Sequence, residues 1–264
     1  MPELPEVETF VRLLQPAVGK TIHHVDVLDD RLALDPAPLR GATIGHVARR
    51  GKYIVLDLKE VGDLVIHLRM SGRLKMESCA SEDPYTRMIL HLRSGGTIRF
   101  VNPRRLGTAT HYPDGFDKPL GIDPTSSSFT PEALKRMTGA SRAPIKHVLM
   151  DQQRIAGLGN IYAAEALWHA ALSPEREARS LNVRETDSLH RAILDVLHRA
   201  VDQLGTTLGQ SVSDYQPTSA VCGSFQNELA VYGRDEQPCR RCGTQIRRIS
   251  QAGRSTCFCP TCQV

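Results

Sequence analysis

The sequence predicts an α+β protein of more than one domain, and three observations carry that reading. Short runs rich in β-branched residues, separated by turn pairs, fill roughly the first 110 residues. Helical periodicity takes over from Thr130 to Leu204. A doubled cysteine pair then closes the chain. At 264 residues and 41% apolar content there is material for a core in each of two or more domains.

The first element is a short amphipathic helix, because Val7, Phe10, Val11 and Leu14 recur at helical spacing. Pro5 suits its first turn and Pro16 is expected to close it. Strands are expected over Thr21 to Leu28, Tyr53 to Leu58, Leu64 to Leu68, Met88 to Leu92 and Thr97 to Val101, with turns such as Gly62-Asp63 and Gly95-Gly96 between them. This patterning fits an antiparallel sandwich or barrel. Pro113 to Phe129 is rich in Pro, Gly and Ser and reads as a linker. Thr130 is an N-cap with Pro131 behind it, and helical patterns continue through Ile145 to Met150, Ile161 to Ala171 and Val183 to Leu204. A polar loop spans Gly205 to Gly223. The expected boundaries are 1–112 for the β domain, 113–129 for the linker, 130–228 for the helical domain with its loop, and 229–264 for a metal-bound module.

No run is long and apolar enough to span a bilayer, and the opening MPELPEVE lacks the basic and apolar regions of a signal peptide. A cytoplasmic protein with no membrane partner is expected. Of the net charge of +4, the C-terminal module alone contributes Arg240, Arg241, Arg247, Arg248 and Arg254 with no acid from Cys239 onward. Such a patch suits a phosphate-bearing partner, although a solvated face has the same composition.

Seven cysteines without an export signal argue against a disulfide framework. Cys239, Cys242, Cys259 and Cys262 form two CxxC pairs separated by sixteen residues, the spacing of a four-thiolate zinc site. Such a shell has no open position, so one structural Zn2+ that stabilises and does not catalyse is expected. Cys257 competes with Cys259 but would break the second pair; Cys79 and Cys222 read as ordinary thiols. Between the knuckles, Gly253-Arg254 could turn a guanidinium outward toward phosphate, or could simply be an exposed loop tip. Gly157-Leu158-Gly159-Asn160 opens a helix, a place for a phosphate or just a tight turn.

The opening octapeptide carries the remaining chemistry. Proline after the initiator Met normally allows that Met to be removed, leaving a secondary amine whose pKa near ~8 keeps a usable fraction unprotonated. Such an amine can attack a sugar carbon and give an iminium. Glu3 beside it could act as general acid or base, while Glu6 and Glu8 complement the helix dipole. Taken alone, the residues favour the plain helix-start reading for all three acids.

In order, MPELPEVE, RRGKY (Arg49 to Tyr53), HLRMSG (His67 to Gly72), NPRRLG (Asn102 to Gly107), GLGNIYAAE (Gly157 to Glu165), VYGR (Val231 to Arg234) and the terminal zinc module span essentially the whole chain. In these motifs the sequence resembles bacterial formamidopyrimidine-DNA glycosylases. The resemblance implies a β-sandwich with a leading helix, a helix-two-turn-helix domain and a zinc finger, with double-stranded DNA carrying oxidised bases or abasic sites as partner. It implies a monomeric base-excision repair enzyme for 8-oxoguanine opposite cytosine and for formamidopyrimidines, acting through a Schiff base and β,δ-elimination. On this resemblance Pro2 would be the nucleophile, Glu3 the acid at the sugar ring oxygen, Lys52 the general acid for β-elimination, and Arg254 the phosphate contact assisting δ-elimination. Glu6 would shape the lesion site. His67, Asn160, Tyr232 and Lys146 would hold the DNA backbone, while Met70, Arg104 and Leu106 would fill the hole left by the flipped nucleotide.

Three positions depart from the family pattern. Leu106 replaces a usual Phe, so recognition of the opposite base is expected to be looser. Tyr85 stands where a DNA-contacting histidine is expected. The loop from Thr206 to Ser224 is longer and poorer in glycine than usual, and in relatives it covers the flipped base. Competing readings are a related glycosylase for oxidised pyrimidines, a non-catalytic zinc-finger lesion binder, and a metal-dependent nuclease; the last is disfavoured by the closed metal shell.

Overall fold

A computed structural model of the chain describes residues 1–78, 83–207 and 223–264. Helix α1 (Leu4–Leu14) buries Leu4, Val7, Phe10, Val11 and Leu14, as its apolar spacing requires. Pro5 occupies the first turn, where a missing N–H leaves nothing unpaired. Pro16 closes the segment as expected: α1 ends at Leu14, and Pro16 lies in the following 3-10 turn, Gln15–Ala17, whose first positions tolerate its fixed φ.

Strands β1 (Ile22–Val27), β2 (Ile44–Arg50), β3 (Tyr53–Leu58), β4 (Gly62–His67), β5 (Arg73–Glu77), β6 (Thr86–Leu92), β7 (Thr97–Val101) and β8 (Thr108–Tyr112) follow. They form two antiparallel four-stranded sheets, ordered β1-β6-β7-β5 and β2-β3-β4-β8. Val25, Leu74, Leu90 and Phe100 of one sheet share a core with Val47, Leu56, Ile66 and Ala109 of the other, and α1 adds Val7, Phe10 and Leu14. The result is a sandwich with a leading helix. The sequence does not mark β2, β5 or β8, because each presents few apolar side chains and depends on pairing with a stronger neighbour. In β8 (TATHY) only Ala109 reaches the core.

Helices α2 (Pro131–Gly139), α3 (Ile145–Met150), α4 (Asn160–His169) and α5 (Val183–Asp202) precede a hairpin of β9 (Arg247–Gln251) and β10 (Arg254–Phe258). Thr130 Oγ1 caps α2 by accepting the Ala133 N–H at 3.2 Å. Asn182 and Glu185 cap α5 reciprocally, at 3.0 and 2.8 Å. Helix α4 is buried from Ile161 to Trp168. Its Ala164 and Trp168 share a core with Val231, Ile246, Cys257 and Cys259.

The chain divides into two compact units. One holds Met1–Lys118 with the described residues of Leu204–Ser224; the other holds Pro119–Gln203 with Phe225–Val264. The stretch 113–129 is thus shared between them. In the first unit Phe116 packs on Tyr53 and Tyr112, and in the second Phe129 stacks on His190 at 5.0 Å. Cys79, Cys222 and the interior of the 206–224 loop lie outside the described residues. Among the described residues no helix is long and apolar enough to cross a membrane.

Candidate active site and zinc centre

Pro2 is buried in the short extended segment that leads into α1. Glu6, one turn into the helix, reaches back to accept the Glu3 N–H on Oε2 at 2.8 Å, which fixes the backbone at the helix entry. Its other oxygen accepts both the N–H and the hydroxyl of Thr206, at 2.8 and 3.0 Å. Gly205, at φ +78°, leaves no space there for a side chain: a Cβ would lie 2.7 Å from Glu6 Oε1. Glu8 instead pairs with Arg49 at 3.0 Å and Arg12 at 3.4 Å, a structural role.

The terminal amine, carried here by Met1, is held below its ordinary pKa by burial, with Lys52 and Arg104 acting in the same sense and Glu3 and Glu6 opposing them. Those four side chains therefore all act on the amine. Lys52 is buried at the tip of the β2–β3 hairpin, where Gly51 at φ +59° closes a two-residue turn between the paired Arg50 and Tyr53. At the end of β4, His67 Nδ1 accepts the Arg69 N–H at 3.0 Å, leaving Nε2 as the protonated donor of the neutral ring. Burial, then Arg69, Lys52 and Lys118, push its pKa down to about 4.

Met70 and Leu106 are 39% and 48% exposed, unusual for large apolar side chains and opposite to a core role. Their loops are joined by the Arg104 N–H, which donates to Ser71 Oγ at 3.4 Å. Tyr85 is tied to the second loop through its carbonyl, which accepts the Asn102 N–H at 2.8 Å.

In the second unit three consecutive residues of β10 gather the remaining positions. Arg254 is exposed at its start. The Ser255 carbonyl accepts from Asn160 Nδ2 at 3.0 Å, and Thr256 Oγ1 accepts from the buried Lys146 Nζ at 2.6 Å. Lys146 thus joins α3 to the finger hairpin, a structural link that the sequence did not suggest. Tyr232 is positioned through its backbone by Glu165, whose carboxylate accepts the N–H groups of Ala230, Val231 and Tyr232 at 2.7, 3.0 and 2.8 Å. Burial pushes the Glu165 carboxyl up, and these three donors oppose that shift.

The thiolates of Cys239, Cys242, Cys259 and Cys262 all lie within 4.8 Å of one another. Two of the sulfur pairs are 4.0 and 3.5 Å apart, matching the spacing of about 3.8 Å that four tetrahedral ligands at about 2.3 Å from zinc require. The backbone N–H groups of Arg241 and Cys262 point at Cys239 and Cys259 sulfurs, each at 3.4 Å, which suits anionic ligands. Cys257 is not in this cluster; it is buried in β10 opposite Arg248. The four residues form a structural zinc site.

Family profiles match along the chain. Residues 1–109 match the formamidopyrimidine-DNA glycosylase N-terminal domain, 120–211 the formamidopyrimidine-DNA glycosylase H2TH domain, and 236–264 the zinc finger found in FPG and IleRS. The chain belongs to the formamidopyrimidine-DNA glycosylase family. The formamidopyrimidine-DNA glycosylase of Pelotomaculum thermopropionicum is 41% identical, over 100% of this chain and 99% of its own. The crystal structure of the MutM (FPG) protein from Thermus thermophilus superimposes with a TM-score of 0.90 at 41% identity, covering 99% of this chain and 98% of that one. The complex of Lactococcus lactis Fpg with DNA containing an abasic site gives 0.88 at 32% identity, with 99% of each chain covered. Within this glycosylase fold, Thr206 and Glu165 are the residues that motif reading missed. Glu165 closes the GLGNIYAAE motif, and a lone Glu within an apolar helical run is its one visible signal. Thr206 carries no local signal.

Proposed function

We propose that this protein is a bifunctional DNA glycosylase and AP lyase of base excision repair, excising 8-oxoguanine opposite cytosine and formamidopyrimidines. The observation that carries this reading is the burial of Pro2, Glu3, Glu6 and Lys52 in the first unit of a chain that matches this family along its length. The Lactococcus lactis relatives were crystallised with DNA containing an abasic site or N7-benzyl-Fapy-dG, which supports the same substrate class. The protein is taken to act as a monomer on cytoplasmic DNA.

With Met1 removed, the Pro2 nitrogen is the nucleophile. Its lone pair forms a bond to C1′ as the glycosidic electron pair leaves with the base, which takes up a proton. Glu3 delivers a proton to the ring oxygen as the sugar opens, and loss of the amine proton leaves an iminium. Lys52 serves as the acid for β-elimination: the C2′ proton passes to water, the C2′ electron pair forms the new double bond, and the 3′-phosphate departs with a proton from Lys52. Arg254 binds phosphate and assists δ-elimination, in which the second phosphate leaves. Glu6 holds the helix entry and borders the lesion. His67, Tyr85, Lys146, Asn160 and Tyr232 serve the DNA backbone, while Met70, Arg104 and Leu106 fill the vacated stack, with Arg104 facing the orphaned cytosine. When bound, the zinc cross-links the finger that carries Arg254, and its full thiolate shell has no position for substrate.

Borohydride trapping on an 8-oxoguanine:cytosine duplex tests the reading, with a Pro2→Gly variant alongside and intact mass to verify Met1 removal. A covalent adduct mapped to the Pro2 nitrogen is expected. No adduct from processed, DNA-binding protein would overturn it, and dominant excision of thymine glycol would move the preference to oxidised pyrimidines.

A further inference from the structure

We infer that Asp29, which belongs to none of the motifs above, is a positioning residue that sets how the loop Asn102–Gly107 presents Arg104 and Leu106, and through them the choice of base opposite the lesion. The inference rests on the glycosylase reading.

The loop is tightly specified. The Arg105 N–H closes a turn on the Asn102 carbonyl at 3.1 Å, and Asn102 Nδ2 donates across the loop to the Gly107 carbonyl at 3.3 Å. Gly107 cannot carry a side chain, since a Cβ would lie 2.6 Å from the Phe100 ring and 3.0 Å from the His67 carbonyl. Between the two exposed residues, Arg105 takes φ +54°, a left-handed conformation that residues with a Cβ rarely adopt. Such a conformation persists where surrounding contacts over-determine it.

The contact that does so lies at the far end of the Arg105 side chain. Its Nε donates to Asp29 Oδ2 at 2.7 Å and its Nη2 to Asp29 Oδ1, a two-point guanidinium–carboxylate pair. Asp29 itself is immobilised. It is 2% exposed, accepts the Arg31 N–H at 3.1 Å at the start of the 3-10 turn Asp30–Leu32, and has Arg87 Nε 3.8 Å away. The anchor therefore belongs to the β1–β2 connection, a segment separate from the loop it holds. The Arg105 guanidinium keeps the Asp29 carboxyl below the ordinary carboxylate range, so the pair is ionised at neutral pH.

Asp29→Asn tests this, because it keeps an acceptor for Arg31 and leaves Arg105 in place while removing the charge and the second contact point. Single-turnover excision is measured on 8-oxoguanine:cytosine and 8-oxoguanine:adenine duplexes, with borohydride trapping on an abasic-site duplex and the melting temperature as controls. The preference for cytosine is expected to fall by about fivefold, part of what a good two-point base contact provides, with abasic-site trapping unchanged. Arg105→Lys, which keeps the charge but not the fork, should show the same direction and decides the matter if Asp29→Asn does not fold. An unchanged preference in a folded variant, with only the melting temperature lowered, would overturn the inference. A wild-type protein with no excision at either duplex would instead remove the glycosylase reading, and this inference with it.

Discussion

His67 illustrates how a single buried side chain ties stability to pH. Its folded pKa is about 4 against 6.5 for an ordinary ring, so between those values the unfolded chain takes up a proton that the folded chain refuses. Its contribution is present in full above that window and is lost as pH falls through it, by about 3 kcal/mol at most for such a shift. Denaturation of wild type and His67→Gln at pH 7 and 4.5 should show a shallower pH dependence in the variant, and equal slopes would remove His67 as the cause. Recognition of the opposite base also belongs to this scale. Arg104→Ala should lower the preference for cytosine by about 1–3 kcal/mol, read from paired excision rates, and unaltered preference would take Arg104 out of that role. Leu106→Phe should sharpen the same preference, since an aromatic ring stacks where leucine only fills.

At the level of elements, the entry of α1 is governed from outside the helix. Glu6 receives the Glu3 N–H on one oxygen and Thr206 on the other, so the backbone beside Pro2 is held by a residue 200 positions away. Gly205→Ala would place a methyl against Glu6 in a left-handed backbone, and a loss of about 1–3 kcal/mol is expected by chemical denaturation, with slower borohydride trapping. A variant as stable and as fast as wild type would show that the contact is dispensable. Glu165 plays the corresponding part in the second unit, because one carboxylate satisfies three amides of the turn that carries Tyr232. Strands β2, β5 and β8 teach the converse lesson. Their sequences are too polar to announce a strand, and they exist because stronger neighbours offer unpaired backbone.

For the molecule as a whole, the zinc shell connects folding to function. Removing a thiolate opens the cluster, and with it the hairpin that holds Arg254 and receives Asn160 and Lys146. Cys242→Ser, or treatment with a strong chelator, should lower zinc content and DNA affinity together, whereas full affinity in zinc-free protein would separate the finger from binding. Much of this organisation was legible from spacing alone. The CxxC pairs, the Thr130-Pro131 and Pro5 helix starts, the Gly95-Gly96 turn and the outward Gly253-Arg254 hairpin are local patterns, and local patterns are dictated by backbone sterics and hydrogen bonding between near neighbours. Which distant residues meet was not legible. Thr206 on Glu6, Lys146 on Thr256 and Asp29 on Arg105 join positions 200, 110 and 76 apart, and separation along a chain imposes no distance in space. The sequence by itself determined the helices, the strongly patterned strands and the zinc ligands; only the tertiary structure decided where the polar strands pair and which buried charges face one another, because that depends on how the sheets and helices pack to fill their cores.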